Sequence, residues 1–394
     1  MNEVTQPVRA RGMMLSAVAT VAALAALLAL APFASAASDP LASGTTTITL
    51  NKGLVKKLKK AGVKVLKVSP ATVKGRIVKL PVSGGSLDPT NGAGTVEHGG
   101  GIKFKRGKKN AKVSALVLDT ATSSLKAKVG GKNMKLASVK GVTVARNGFG
   151  ANVSISSLKL TGKAAKQLNK KLGFKGKAQK KSPFKGNKSL GASASETQPK
   201  TVTLVSGGAT LTTSLPTVAK LAKVGVTIET IAPTSVAAPG PPPAYAFPIS
   251  GGSLAPDANA GIVQTSGGLR LKQVFVPGEV ETTMTLANIW IDFGAKTATV
   301  EVTVESKGID PKLNLGPLGR SSIANISLAG ASVTSNTTTR TITVLNASAS
   351  LQAVTAETLN SVFVKPYEAI TATSAEKFVE GDPLGTFSLT AQTQ

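Results

Sequence analysis

Apolar and polar residues alternate with a period of two along much of this chain, and the alternating runs appear in the same order twice. The first pass opens with Thr46, Ile48 and Leu50, continues with a short run Leu54–Leu58, and returns to Val63–Leu66. The second opens with Val202 and Leu204, then Val218–Leu221, then Val224–Ile228. Each predicts strand, one or two helical turns, strand. Further on, Ala115–Asp119 corresponds to Asn288–Asp292 and Leu125–Val129 to Ala298–Val302, which read as period-two strands joined by hairpins. Alternation continues at Val153–Ser156 and Ile342–Val344. Near each end a short helix is expected, Thr161 capping Gly162–Leu172 and Thr355 capping Ala356–Val362.

An ungapped phrase fixes the duplication. Pro81-Val82-Ser83-Gly84-Gly85-Ser86-Leu87 returns as Pro248-Ile249-Ser250-Gly251-Gly252-Ser253-Leu254. Ten residues beyond each leucine, Glu97–Ile102 matches Gln264–Leu269. The Ser-Gly-Gly-Ser cores read as tight turns between strands. The stretch Pro233–Pro248, with six prolines, reads as a loop or extended segment. Phe184-Lys185-Gly186 with Leu190-Gly191 echoes Phe378–Gly381 with Leu384-Gly385, which places the lysine-dense stretch 163–188 inside the first copy. The expected organisation is a leader at 37–44, a first domain at 45–191, a linker at 192–199 and a second domain at 200–394. Each domain is expected to be an antiparallel β-sandwich with one or two short helices, so the chain is mainly β.

Composition changes this picture at the N-terminus. Arg9 and Arg11 precede an apolar run from Met13 to Phe33 that ends in Ala34-Ser35-Ala36, the order of a secretory signal, with cleavage expected before Ala37. The competing reading is a retained membrane anchor. No later stretch approaches the ~20 apolar residues of a spanning helix. The chain has no cysteine, which excludes disulfides and thiolate metal sites.

Charge separates the copies. Residues 37–200 carry 34 Lys and Arg against 5 Asp and Glu, whereas residues 201–394 carry 11 against 13. Only Arg76, Arg106 and Arg146 of the 34 are arginine, so the first domain presents hydrated point charges rather than bidentate forks. The anion-binding candidates are Lys56, Lys57, Lys59 and Lys60; Lys103, Lys105, Arg106, Lys108 and Lys109; Lys170 and Lys171; and Lys175, Lys177, Lys180 and Lys181. Few aromatics and few arginines leave no means of stacking on bases or reading them, so no physiological nucleic acid is expected. Anionic cell-wall or envelope polymers are the expected partner, and the location is extracellular and envelope-associated.

Candidate ligand chemistry is sparse. His98 is the single histidine, with Thr265 as its counterpart, and reads as solvent-facing or in a turn. Tyr245 and Tyr367 are the only phenols, and Trp290 the only indole. One histidine and no cysteine leave no nucleophile, base and orienting group, so the chain reads as non-enzymatic.

The pattern P-V-S-G-G-S-L-D-P-x-x-G-x-G-x-V-x-x-G-G-G-I-x-F, followed by a strand pair, resembles the HtaA-type domain of secreted and surface proteins of actinobacteria. The resemblance covers roughly 45–191 and 200–393. It implies a β-sandwich with small helices, extracellular location, and capture of haem with relay to a membrane transporter. The family's haem-binding members place a tyrosine near the start of the domain and a histidine just after the G-x-x-x-F strand. Here that strand is Gly101-Ile102-Lys103-Phe104 followed by Lys105-Arg106-Gly107-Lys108, and Gly268-Leu269-Arg270-Leu271 followed by Lys272-Gln273-Val274, with no histidine in either. A haem role would therefore fall to His98, Tyr245 or Tyr367. The leading expectation is an envelope-associated binding protein; haem relay and a structural or adhesive surface role are the alternatives.

Overall fold

The computed structural model describes residues 38–174, 176–308 and 311–394, with backbone alone at 176, 177, 179 and 311. The expected signal segment lies outside the described residues. The first domain runs β1 (Asp39–Leu50), α1 (Lys52–Lys60), β2 (Lys64–Val68), β3 (Thr72–Lys74), β4 (Ile77–Leu87), β5 (Gly94–Arg106), β6 (Lys109–Asp119), β7 (Ser124–Val129), β8 (Lys132–Asn147), β9 (Gly150–Leu160), α2 (Gly162–Lys171) and β10 (Ser189–Pro199). The second runs β11 (Val202–Thr213), α3 (Leu215–Lys223), β12 (Val226–Ile231), β13 (Ser235–Ala238), β14 (Ala244–Leu254), β15 (Gly261–Thr265), β16 (Gly268–Val276), β17 (Val280–Asp292), β18 (Thr297–Lys307), β19 (Gly316–Ser327), β20 (Ser332–Asn336), β21 (Thr341–Leu351), α4 (Ala353–Leu359), α5 (Lys365–Thr371) and β22 (Pro383–Thr393).

The architecture is mainly β and antiparallel, in two similar domains with short helices. In the first, neighbours run β5-β6-β7-β8-β9-β10-β1-β4, and β4 pairs back onto β5. In the second they run β17-β15-β14-β11-β22-β21-β19-β18, and β18 pairs back onto β17. The two layers of each domain are thus joined at both edges into a ring of eight strands, which leaves no open edge in the ring. Alternation along each strand then sends one set of side chains inward. On β9, Ala151, Val153 and Ile155 are buried while Asn152, Ser154 and Ser156 face out.

Three expectations change. The segment 192–199 is no linker: it is the body of β10, pairing with β1 on one side and β9 on the other. Ser195 and Thr197 point inward, so a run of small polar residues that looks like a linker is a barrel wall. The first ring therefore reaches residue 199, and β1 begins inside the expected leader. The second helix of domain two starts at Ala353 rather than after Thr355, and its turns continue through a π segment at Asn360–Val364 into α5.

The Ser-Gly-Gly-Ser phrases are not turns either. They lie within β4 and β14, at register shifts between Val82 and Gly84 and between Ile249 and Gly251. Gly85 and Gly252 have φ of +104° and +105°, and a Cβ on either would stand 2.3 Å and 2.0 Å from a carbonyl oxygen of the paired strand. Glycine supplies both the left-handed angle and the close approach that a bulge in a tightly curved strand needs. A Gly252→Ala variant is expected to lose at least about 1–3 kcal/mol, read as a lowered urea midpoint with unchanged slope.

A second duplicated device anchors the helices. Asn169 on α2 donates to the Phe184 carbonyl at 2.9 Å and accepts from the Phe184 amide, and Asn360 makes the same pair with Phe378 at 2.8 Å each. Each asparagine ties the helix to the return segment whose phenylalanine closes the core.

Candidate functional site

His98 does not face solvent. It follows Val96 on β5 at the inward period and is 5 % exposed. Its Nδ1 lies 3.0 Å from the Leu116 carbonyl and its Nε2 2.6 Å from the Thr46 hydroxyl, which in turn is 2.8 Å from the Ser195 hydroxyl. A carbonyl can only accept, so Nδ1 carries the proton. Nε2 then accepts from Thr46, and Thr46 accepts from Ser195. This directed chain crosses the barrel interior from β10 through β1 and β5 to β6. Burial pushes the imidazole pKa down, with the Leu116 bond opposing. The Nε2 lone pair, the one an iron would take, already has a donor.

In the second domain the counterpart Thr265 donates to the Ile289 carbonyl at 2.9 Å, which preserves the first link. The rest is gone. By strand register Thr46 corresponds to Ala209 and Ser195 to Leu389. That interior holds a cavity of about 280 Å³ with Ala209 and Thr265 in its wall.

The two tyrosines lie apart from His98 and from that wall. Tyr245 packs with Phe247 and Leu269 at 4 % exposure, and burial raises its phenol pKa, which opposes the phenolate needed to bind ferric iron. Tyr367 on α5 is half-buried beside the cluster of Leu359, Phe363 and Phe378. Trp290 points outward from β17, with the Arg320 guanidinium 3.9 Å above its ring. Asp119 and Asp292 accept from the backbone three residues on, at 2.8 Å each, as turn residues do. No group of three or more metal-ligating side chains occurs among the described residues.

The basic residues divide into three settings. Lys56, Lys57, Lys59 and Lys60 of α1 are exposed, as are Lys105, Lys108, Lys109, Lys170, Lys171, Lys180 and Lys181. Lys103 is half-buried, and Arg106 is engaged, its guanidinium 4.2 Å over the Phe174 ring and 3.4 Å from the Leu172 carbonyl. Lys175, and the side chain of Lys177, lie outside the described residues.

Pairing adds lysines that linear clustering misses. Lys64 stands opposite Lys105, Lys103 opposite Lys112, and Lys126 opposite Lys135. Ser114 stands opposite Lys128. These residues share the outer face of β2, β5, β6, β7 and β8, because Phe104, Ala111, Val113 and Ala127 between them point in. Alternation of lysine with buried apolar residues was the readable signal. Like charges directly opposite destabilise a sheet by roughly 0.2–1 kcal/mol per pair.

The same face of domain two is neutralised. Arg270 meets Glu229 at 3.5 Å, Lys272 meets Glu281 at 2.9 Å, and Arg320 meets Glu301 at 3.0 Å. By register Glu301 takes the place of Lys128. A second contrast lies at α1. Lys57, Lys185 and Lys188 line a cavity of about 240 Å³ with Asn51, Ser189 and Leu190. The matching helix of domain two carries Lys220, bonded at 2.8 Å to Asp382, and Asp382 occupies the position of Lys188 in the Phe184/Phe378 alignment. An ion pair in one copy is thus a pair of lysines in the other.

The His98 chain yields a pH test. An imidazole whose folded pKa is depressed adds stability that is full above the ordinary histidine pKa and declines as pH falls through it, because the unfolded chain takes the proton first. Thermal unfolding between pH 7.5 and 5 should show this loss. His98→Thr, which copies domain two, should flatten that part of the profile, and His98→Ala should cost about 1–3 kcal/mol at pH 7.5 by leaving its buried partners unpaired.

A family model for the HtaA domain (Htaa) matches residues 217–375. The fold is similar to three solved structures from Corynebacterium glutamicum. The C-terminal domain of HtaA is 14 % identical, covering 48 % of this chain and 98 % of that one, with a TM-score of 0.33. The N-terminal domain of HtaA is 15 % identical, covering 48 % and 98 %, with a TM-score of 0.33. The heme-binding protein HtaB is 12 % identical, covering 49 % and 95 %, with a TM-score of 0.32. No curated protein matches. The family match thus falls within the second domain, and the same order of elements is repeated ahead of it in the first.

Proposed function

We propose that the chain is a non-enzymatic, envelope-associated binding protein whose first domain attaches to anionic polymers outside the cell. The observation that carries this reading is the unneutralised lysine field of domain one. Among its described residues the ion pair with a carboxylate is Lys126–Asp119, whereas the homologous face of domain two pairs its cations with Glu229, Glu281 and Glu301. Lysines placed opposite lysines cost stability, so a fold that holds them is suited to an external counter-charge. The cavity at Lys57, Lys185 and Lys188 is a place for one phosphate or carboxylate of such a polymer, and the broad face accommodates its neighbours. No helix among the described residues is long and apolar enough to cross a membrane. The predicted signal segment supplies export in this reading.

Binding to immobilised polyphosphate and to polygalacturonate tests it. Retention should fall at least tenfold between 10 and 150 mM salt, as the Debye length drops from about 30 Å to about 8 Å. Lys188→Asp, which recreates the Lys220–Asp382 pair, should weaken retention more than the same change at Lys140, which lies on β8 outside the pocket. Salt-independent retention would overturn the proposal.

Haem capture is the second reading, supported by the HtaA family match over residues 217–375. Of the three candidate ligands, Tyr367 is the one neither fully buried nor internally bonded at its donor atom. A haem titration should then give a Soret shift that Tyr367→Phe removes and His98→Thr leaves in place.

A further inference from the structure

The interior of domain two differs from that of domain one in kind. The core of the first domain is a single contiguous cluster from Leu41 to Leu190. The second domain's core divides into three clusters, and Ile289 is packed, partly buried, against all of them. Between the clusters lies the 280 Å³ cavity, and its wall contains no lysine, arginine, aspartate, glutamate, histidine or tyrosine. Leucine, isoleucine, valine, alanine and Met284 make most of it, with two rings, Phe247 and Phe387. Its volume equals about nine waters at ~30 Å³ each, yet water in such a place would find few partners, and apolar cavities of this kind stay dry or take an apolar ligand.

The space also has a mouth. Leu318 on β19 and Val354 on α4 line the cavity while remaining 45 % and 69 % exposed. In domain one the position of Val354 is Lys163, by the alignment of Leu168-Asn169 with Leu359-Asn360. Exposed apolar residues at the rim, uncharged walls behind them, and absent ring-stacking partners along most of the lining describe a slot for a flexible chain rather than a planar or charged group.

We propose that domain two binds the aliphatic chain of a lipid, with the chain inside the barrel between α3, α4 and β19 and the head group at the Leu318–Val354 mouth. Space opens where smaller side chains stand at equivalent positions, Thr265 for His98 and Ala209 for Thr46, and Ser321 and Ser322 of β19 also face the cavity. The buried Ser322 hydroxyl has no partner, which provides one neutral polar contact near the chain. The site is separate from the lysine field and does not depend on polymer attachment.

The full chain titrated with cis-parinaric acid should enhance its fluorescence with one site per molecule, and dodecanol should displace the probe. Ala349→Leu, which fills the wall, should weaken binding at least tenfold. Val354→Lys, at an exposed position that does not threaten folding, should weaken it severalfold while the melting temperature stays within a few degrees. Probe binding that both variants leave unchanged would overturn the proposal. So would haem displacing the probe stoichiometrically with a Soret shift while dodecanol does not, because the cavity would then belong to the macrocycle.

Discussion

The pairing that joins β4 to β5, and β18 to β17, is the constraint on which the rest of the structure depends. Once a sheet closes on itself, every strand has two neighbours and its side chains have only two destinations, the interior or the outer face. The bulges at Ser83 and Ser250, with the close strand approach at Gly85 and Gly252 beside them, allow the curvature that closure requires, and both copies carry the Ser-Gly-Gly-Ser phrase there. The interior must then be filled, bridged by hydrogen bonds, or left as a cavity. Domain one fills it and bridges it, with His98 held between Leu116 and Thr46. Domain two leaves part of it open.

The outer face follows the opposite course. In domain two the cross-strand positions settle into ion pairs, as neighbouring charges in a folded protein commonly do. On the same face of domain one lysine stands opposite lysine, at Lys64 and Lys105, Lys103 and Lys112, and Lys126 and Lys135. That arrangement gains nothing for the fold, since exposed lysines repel across the sheet and their burial contributes little. Lysine tolerates it because its long stem places the ammonium group well out in water. The charge is therefore better explained by what it meets outside the molecule than by the stability of the barrel.

Much of this was legible in the sequence. Period-two alternation identified the strands, and the ungapped repeat identified two copies and the order of their elements. Thr161 caps α2 as its side chain implied, and Asp119 and Asp292 occupy the turns their spacing suggested. The Ser/Ala/Thr run at 192–199 reads as a linker because small polar residues mark linkers more often than barrel walls. Its alternation, with Ser193, Ser195 and Thr197 inward, is the mark of a strand. The polarity of His98 suggests exposure, but its phase, two residues after the buried Val96, sends it inward. The lysine pairs across β2, β5 and β6, and the cavity of domain two, needed register and packing. Neither is contained in a single strand's pattern.

Because alternate residues on one strand point to opposite sides, changes inside the barrel and changes on its surface scarcely constrain one another. Residues without shared contacts contribute nearly additively to stability. Substitutions at the positions of His98 and Thr265, or Thr46 and Ala209, altered the interior. Those at Lys128 and Glu301, or Lys188 and Asp382, altered the exterior. Duplication freed each copy to keep one side of the wall conventional while changing the other: domain one retained a packed core beneath an unusual surface, and domain two a balanced surface around an unusual core. A polymer held on the outside of one barrel and a chain held within the other would occupy different phases of the same alternation. Each could then bind without displacing the other.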